Sequence, residues 1–185
     1  MMHYDFVFSG FGGQGVLFGS QLLAYAAMEA GLHVTWIPSY GPEMRGGTAN
    51  CTVVISDQEI GAPVLRRPSA VVAMNYPSVQ KYEPLIALGG LLVYNASLVV
   101  HPPTRADIRC APILASEIAA ELGNPKLLNV VLLGALLHLT GALPIEIVEH
   151  ALEAHLPARR REMLDANRRA LWKGAEAAQA LLAPA

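Results

Sequence analysis

The chain is short of ionic side chains. Of its 185 residues only 15% are charged and 6% aromatic, while 53% are hydrophobic, and the net charge is −2. A typical soluble domain carries roughly 25% charged residues. So weak and slightly negative a charge gives no electrostatic case for nucleic acid or for an anionic membrane surface. A chain that cannot cover itself with polar groups is expected to have much of its surface covered by partner subunits. Cysteine is scarce as well: Cys51 and Cys110 stand far apart with no C-x-x-C. That excludes a disulfide framework, a structural zinc site and an iron–sulfur cluster held by this chain alone. The longest apolar run, Leu127 to Leu139, is broken by Asn129 and His138, and spanning a bilayer takes about 20 residues. There is no basic segment followed by an apolar stretch at the start, so no signal peptide is read and the cytoplasm is the expected compartment.

Catalytic signatures are missing too. No G-x-S-x-G elbow occurs, no Lys-Ser or Lys-Thr pair follows a glycine loop, and no Gly-Asp-Gly diphosphate motif is found. The six histidines are scattered; His150 and His155 are five apart, which is not a metal-ligand spacing on a helix. Arg159-Arg160-Arg161 reads as a solvated helix start, and Cys51 as a buried, inert thiol.

What is present is glycine in a particular place. Gly10-Phe11-Gly12-Gly13-Gln14-Gly15 follows an apolar stretch, Tyr4 to Phe8, and precedes a helical pattern from Val16 to Ala30. This is a glycine turn between a strand and a helix, matching G-x-G-x-x-G. Such glycines either permit tight helix–strand packing or let backbone N–H groups approach an anion. A dinucleotide-binding fold would also need an acidic residue at the end of the second strand. That strand, His33 to Ile37, ends in Pro38-Ser39, and the nearest acids, Glu29 and Glu43, are out of place.

The pattern of elements then repeats an α/β theme. Strand, helix and strand from residue 4 to 37 form a βαβ unit, so its two strands are expected to run parallel. Further strands are read at Ala49–Ser56, Ala70–Met74, Leu91–Tyr94 and Ile108–Ile113. Helices are read from Tyr76 to Tyr82, Ser116 to Leu122, Lys126 to Leu139, Ile145 to Leu156 and Arg159 to Leu182. The near-continuous apolar strands imply a sheet buried on both faces. With no linker and no repeat, residues 1–185 are expected to form a single three-layer α/β/α domain on a mostly parallel, Rossmann-like sheet.

A second loop, Ser39-Tyr40-Gly41-Pro42-Glu43-Met44-Arg45-Gly46-Gly47-Thr48, should lie beside the glycine turn at the carboxyl ends of the strands, with Asn75 and Asn95. Open parallel sheets meet ligands and partners at that edge. Tyr40, Glu43 and Arg45 offer a hydroxyl, a carboxylate and a guanidinium, and the following glycines allow close backbone approach. The plainer alternative is an ordinary polar loop with Arg45 paired to Glu43 or Glu29.

Taken together, residues 10–16, residues 38–51, Ile60-Gly61-Ala62-Pro63, Ala73-Met74-Asn75 and Leu122-Gly123-Asn124 give the chain a family resemblance. It resembles the gamma subunit of 2-oxoacid:ferredoxin oxidoreductases, a module that is a fused domain in pyruvate:ferredoxin oxidoreductase. The resemblance runs from about Asp5 to at least Gly141. It implies a complex that oxidatively decarboxylates a 2-oxoacid with coenzyme A, giving acyl-CoA, carbon dioxide and reduced ferredoxin. The 2-oxoglutarate type is nearest in flavour, with pyruvate and branched-chain types as its relatives. It further implies that thiamine diphosphate, magnesium and iron–sulfur clusters sit on alpha, beta and possibly ferredoxin-like delta subunits, with none bound by this chain alone. The residues expected to face cofactor or partner are Gly12, Gly13, Gln14, Gly15, Ser39, Tyr40, Glu43, Arg45, Gly46, Gly47, Thr48 and Asn75. No catalytic residue and no metal ligand is assigned. The rivals are a free-standing NAD(P)-binding oxidoreductase and a purely structural assembly subunit.

Overall fold

A computed structural model describes residues 1–40, 47–61 and 65–183. Six strands form one sheet: β1 (His3–Phe11), β2 (His33–Tyr40), β3 (Thr48–Ser56), β4 (Ala70–Ala73), β5 (Leu91–Asn95) and β6 (Arg109–Ile113). Six α-helices accompany them: α1 (Val16–Glu29), α2 (Tyr76–Tyr82), α3 (Ala115–Glu121), α4 (Leu128–Thr140), α5 (Ile145–His155) and α6 (Leu164–Leu182). The strand order is β2-β3-β1-β4-β5-β6.

The α/β architecture read from the sequence is the one found, with one difference in topology. β1 and β2 point the same way, as a βαβ unit requires, but β3 lies between them. It pairs antiparallel with both, Phe11 opposite Thr48 and Tyr40 opposite Ala49. β4, β5 and β6 continue the sheet in parallel beyond β1. A strand that returns directly from β2 can pair with it as a hairpin, and that local pairing displaces β2 from β1. β2 also runs on to Tyr40, through Pro38, where the sequence suggests an end. It is an edge strand, and an edge tolerates a residue with no N–H to give. The other edge strand, β6, likewise carries a proline, Pro112.

The two faces of the sheet are covered unequally. Phe6, Phe8, Cys51, Ile55, Val72 and Val93 face the larger cluster, which is built with α1, α3, α4, α5 and α6. Val7, Val71, Leu92 and Tyr94 face a thinner cover made by α2 and the chain around Val99 and Ile108. The link from β5 to β6 has no helix of its own and is clasped to the end of α2. The Glu83 carboxylate accepts hydrogen bonds from the Thr104 and Arg105 backbone N–H groups (2.6 and 2.8 Å), and Arg105 Nη1 donates to the Glu83 and Ile86 carbonyls. Arg105 also holds Asp107, whose carboxyl is thereby kept below its ordinary range.

α4 is the centre of the thick layer. Residues 128 to 137 are all buried, which explains why its sequence is apolar nearly all round. It crosses α6 at two glycines. A Cβ on Gly134 would overlap the Leu171 carbonyl, and one on Gly174 would overlap the Val131 carbonyl. α1 is tied to its neighbours by Trp36 Nε1 donating to Ser20 Oγ at 3.1 Å and by Tyr25 stacked on His155, centroids 4.1 Å apart. Glu29, a possible partner for Arg45 on sequence grounds, meets His155 Nε2 at 2.6 Å, while Arg45 lies outside the described residues.

Candidate functional site

The strand-to-helix turn is built as its glycines suggest. Phe11 still belongs to β1, so the turn proper is Gly12 to Gly15. Gly13 has φ +100° and Gly15 φ +81°, a region that side chains with a Cβ rarely enter. Gly15 forms the N-terminal boundary of α1, whose first turn has no acidic residue. Gly12 N–H donates to the Gly47 carbonyl at 2.9 Å and Gln14 N–H to the Phe11 carbonyl at 3.1 Å. The N–H groups of Gly13 and Gly15 have no hydrogen-bond partner among the described residues. Gly15, at the N-cap, belongs to the helix start that leaves such donors unpaired, and Gly13 lies in the turn before it.

Gln14 and Asn75 are hydrogen-bonded within the turn and lock it from behind. Gln14 Oε1 accepts from Phe11 N–H (2.7 Å) and from Asn75 Nδ2 (2.8 Å). Asn75 Oδ1 accepts Ser78 N–H at 3.0 Å and so caps α2. Ser78 Oγ in turn meets Ser9 Oγ at 2.9 Å. One strand further, Asn95 Nδ2 donates to Ser116 Oγ at 2.8 Å, bracing the start of α3. The carboxyl edge at β4 and β5 is thus closed by its own asparagines.

At β1 and β3 the same edge opens. A cavity of about 640 Å³ lies against Gly12, Gly13 and Gly15 on one side and Gly47, Thr48 and Ala49 on another. Its remaining walls come from far along the chain: Asn124, Lys126, Leu127 and Asn129 before and within α4, and Arg160, Met163 and Asn167 around the start of α6. Phe11, Val16, Leu17, Phe18 and Leu156 supply an apolar lining. Lys126 and Arg160 are its only charged lining residues among those described, and both are cations. Asn129 is 3% exposed and bridges wall and turn: its Nδ2 donates to the Gly15 carbonyl at 2.8 Å. The chemistry this arrangement offers is recognition of an anion with an apolar body. Unpartnered N–H groups and cations line one space, and among the described residues no carboxylate lines it to compete.

Of the residues expected from sequence, Gly12, Gly13, Gly15, Gly47 and Thr48 line this cavity, and Gln14 and Asn75 support it. Ser39 and Tyr40 lie in β2, opposite Asn50 and Ala49. Glu43, Arg45 and Gly46 lie outside the described residues. Sequence reading missed Lys126, Asn129, Arg160 and Asn167 as site residues. A signal existed for Asn129, a polar break in an otherwise apolar helix. Arg160 was masked by its place in a run of three arginines that reads as solvated surface.

The cysteines take no part in a shared centre. Cys51 is buried in β3 and Cys110 is exposed on β6, with β1, β4 and β5 between them. Burial pushes the Cys51 thiol up to about 11, against hydrogen bonds with Ser20 and Ile37 that pull it the other way. No three His, Cys, Asp or Glu side chains among the described residues are placed to hold a metal ion. Nor is any helix among them long and apolar enough to cross a membrane.

Comparison with known proteins agrees with this arrangement. Residues 5–177 match the family model of pyruvate ferredoxin/flavodoxin oxidoreductase. The chain is 39% identical over 170 residues to ketoisovalerate oxidoreductase subunit VorA of Methanothermobacter thermautotrophicus, covering 91% of this chain but only 35% of that subunit. It therefore spans about a third of the length of that relative. It is 33% identical over 183 residues to 2-oxoglutarate synthase subunit KorC of Methanocaldococcus jannaschii, covering 97% of this chain and 96% of that one. Its fold superposes on the gamma subunit of a keto/oxoacid ferredoxin oxidoreductase from Geobacter sulfurreducens with a TM-score of 0.83 at 30% identity, over 96% of this chain and 99% of the other. A glycine turn at the carboxyl edge, an antiparallel β3 beside it and a match across nearly the whole length lead to one conclusion: the chain belongs to the pyruvate ferredoxin/flavodoxin oxidoreductase family, as its gamma-subunit module.

Proposed function

We propose that this chain works as the gamma subunit of a complex that oxidatively decarboxylates a 2-oxoacid with coenzyme A, giving acyl-CoA, carbon dioxide and reduced ferredoxin. The observation that carries the reading is the cavity at the carboxyl edge: among the described residues it is lined by two cations and by glycine N–H groups, and by no carboxylate, cysteine or histidine. Such a surface suits binding of an anionic co-substrate and leaves bond-making to groups on other chains. Thiamine diphosphate, magnesium and iron–sulfur clusters belong, on this reading, to alpha, beta and ferredoxin-like subunits. The substrate is 2-oxoglutarate. The full-length likeness to a 2-oxoglutarate synthase subunit supports that choice, while the likeness to a ketoisovalerate oxidoreductase subunit makes branched-chain 2-oxoacids the alternative. Arg45, beside Gly47 and Thr48 in sequence, meets an anionic group of coenzyme A or of a partner.

A free-standing nicotinamide oxidoreductase is disfavoured by one feature of the sheet. In a dinucleotide fold the end of β2 lies next to the glycine turn and supplies an acid for the ribose. Here the neighbour of β1 is β3, beginning at Thr48, and among the described residues no acid stands there.

The test is reconstitution with the thiamine-binding chains from the same source. The complete complex should reduce ferredoxin only with both 2-oxoglutarate and coenzyme A present, and omission of this chain should abolish coupling. Arg45→Ala should weaken either assembly or the apparent affinity for coenzyme A. Turnover by this chain alone, tight binding of NAD or NADP, or an Arg45→Ala complex unchanged in both respects would overturn the reading.

A further inference from the structure

The rim of the sheet continues past the cavity. Beyond β1 the carboxyl edge runs through β4 and β5 to β6, and its far corner is apolar and exposed. The chain leaving β5 and the chain leaving β6 are joined there: Ala96 N–H donates to the Ile113 carbonyl at 2.8 Å, and Asn95 Nδ2 to Ser116 Oγ at the same distance. Leu98 and Val100 follow the first strand and Leu114 the second, exposed by 44%, 81% and 48%. Val99 is buried in the thin cluster, so the side chains before and after it are held outward. Residues 96–103 and 110–116 contain no Asp, Glu, Lys or Arg.

An exposed leucine by itself means little, since every folded surface keeps apolar atoms. Met28 and Leu88 are exposed too, at the opposite, amino end of the sheet. The corner differs in gathering three apolar side chains from two segments, with no ionic neighbour in either, on the rim where the cavity opens. From β1 to β6 is three strand steps, about 14 Å at about 4.8 Å each. A stable interface takes roughly 800 Å² from each partner, a patch about 30 Å across. One footprint of that size takes in the cavity mouth and the corner together. Chemistry calls for a companion at this rim. Among the described residues no cysteine, histidine or carboxylate lines the cavity, so a co-substrate held there must present its reactive end to groups on another chain.

We infer that Leu98, Val100 and Leu114 form the docking patch for the thiamine-bearing companion chain, which meets them with an uncharged, apolar surface and so closes over the mouth of the cavity. This rests on the reading that the chain is a gamma subunit of the oxidoreductase complex, and it adds which corner the companion holds. Contact at the corner is favourable because it removes apolar surface from water and leaves no ionic group of this chain to desolvate. The cavity mouth, two to three strands away, keeps its N–H groups and cations for the co-substrate.

The experiment is reconstitution of the full chain with its thiamine-bearing companion, followed by sedimentation over a range of concentrations. Leu98→Asp with Val100→Asp should weaken assembly by roughly tenfold or more, since each new charge is buried at the contact. Met28→Asp with Leu88→Asp makes the same change at the other end of the sheet and should assemble as the parent does. All four side chains are exposed, so both variants should melt close to the parent. Covalent footprinting of the unaltered chain gives a second reading that needs no variant: residues 96–103 should be labelled in the isolated chain and protected in the complex. A corner variant that assembles normally, a control pair that weakens assembly as much, or a corner labelled equally in the complex overturns the inference. An isolated chain that is dimeric with its corner already protected overturns it too, by giving the corner to a second copy. Failure here is separable from failure of the proposed function, because assembly is followed without substrate. A complex that depends on coenzyme A yet forms equally well with the corner variant removes this patch alone. A complex that forms through the corner yet is indifferent to coenzyme A removes the function and supports the patch.

Discussion

Gly134 and Gly174, where α4 crosses α6, contrast with Gly13 and Gly15 in the turn between β1 and α1. At the crossing the backbone conformation is ordinary helix, and what forbids a side chain is another backbone already occupying its place. At Gly13 the reverse holds: a Cβ would meet nothing within 4 Å, but φ is +100°. Gly15 combines the two, a left-handed φ and the Asn129 amide pressed against it. Glycine at the crossing serves packing; glycine at Gly13 serves shape and leaves open space. That space is part of the large cavity. Empty surroundings alone do not mark a binding surface, since Gly31, Gly89, Gly123 and Gly141 share them at positive φ and do not line that cavity.

Substitutions can break this contrast. The largest effect is expected from Gly174→Ala, and nearly as large from Gly134→Ala. Each forces apart two packed helices in the core, at a cost of about 3 kcal/mol, measured by urea melts. The double variant should cost less than the sum, since one separation of the helices relieves both. Next comes Gly15→Ala, about 2 kcal/mol, from the left-handed φ and displacement of Asn129. Asn129→Ala alone should cost about 1 kcal/mol through the lost bond to the Gly15 carbonyl. In that background Gly15→Ala should cost measurably less than in the parent, and strict additivity would show that the amide is not the obstacle. Gly13→Ala should cost only about 1 kcal/mol, all of it backbone strain. Its larger consequence is for binding, because the new methyl enters the cavity.

The smallest effect concerns the thiols. Cys110 is exposed and Cys51 buried, and burial raises the Cys51 thiol to about 11 from an ordinary value near 9. Native protein at pH 8 should therefore take up one equivalent of alkylating reagent, and the second only on unfolding. The raised value also sets a sign. The native state keeps the proton that the unfolded chain releases, so the contribution to stability is whole below about pH 9. It is lost as pH climbs through 9 toward 11.

How much of this was legible beforehand divides along the same line. The strands and helices follow from apolar runs and from glycine and proline punctuation, all local signals. Tyr76–Tyr82 and the burial of α4 were readable for that reason, though the capping role of Asn75 was not. Pairing is not local. Nothing in Ala49–Ser56 says that it inserts between the two strands before it, since alternation and hydrophobicity are the same for any neighbour. The site divides similarly. The glycine turn and Gly47-Thr48 were readable because their conformational demands are written in residue type. The opposite wall was not, because Lys126, Asn129, Arg160 and Asn167 reach the turn only through the packing of α4 and α6, more than a hundred residues later in the chain. Gln14 and Asn75, expected to face cofactor or partner, hydrogen-bond to each other and to the start of α2, links that no local signal announces.

Both outer strands of the sheet carry a proline, Pro38 in β2 and Pro112 in β6. A ladder of main-chain hydrogen bonds needs an N–H at each such step, so neither flank offers a full template for a foreign strand. Growth of the sheet from one subunit into the next is discouraged on the left and on the right alike. Companions must join this module by laying side chains against its helices or across the rim where the strands end, and association of that kind can come apart and re-form without unzipping the sheet.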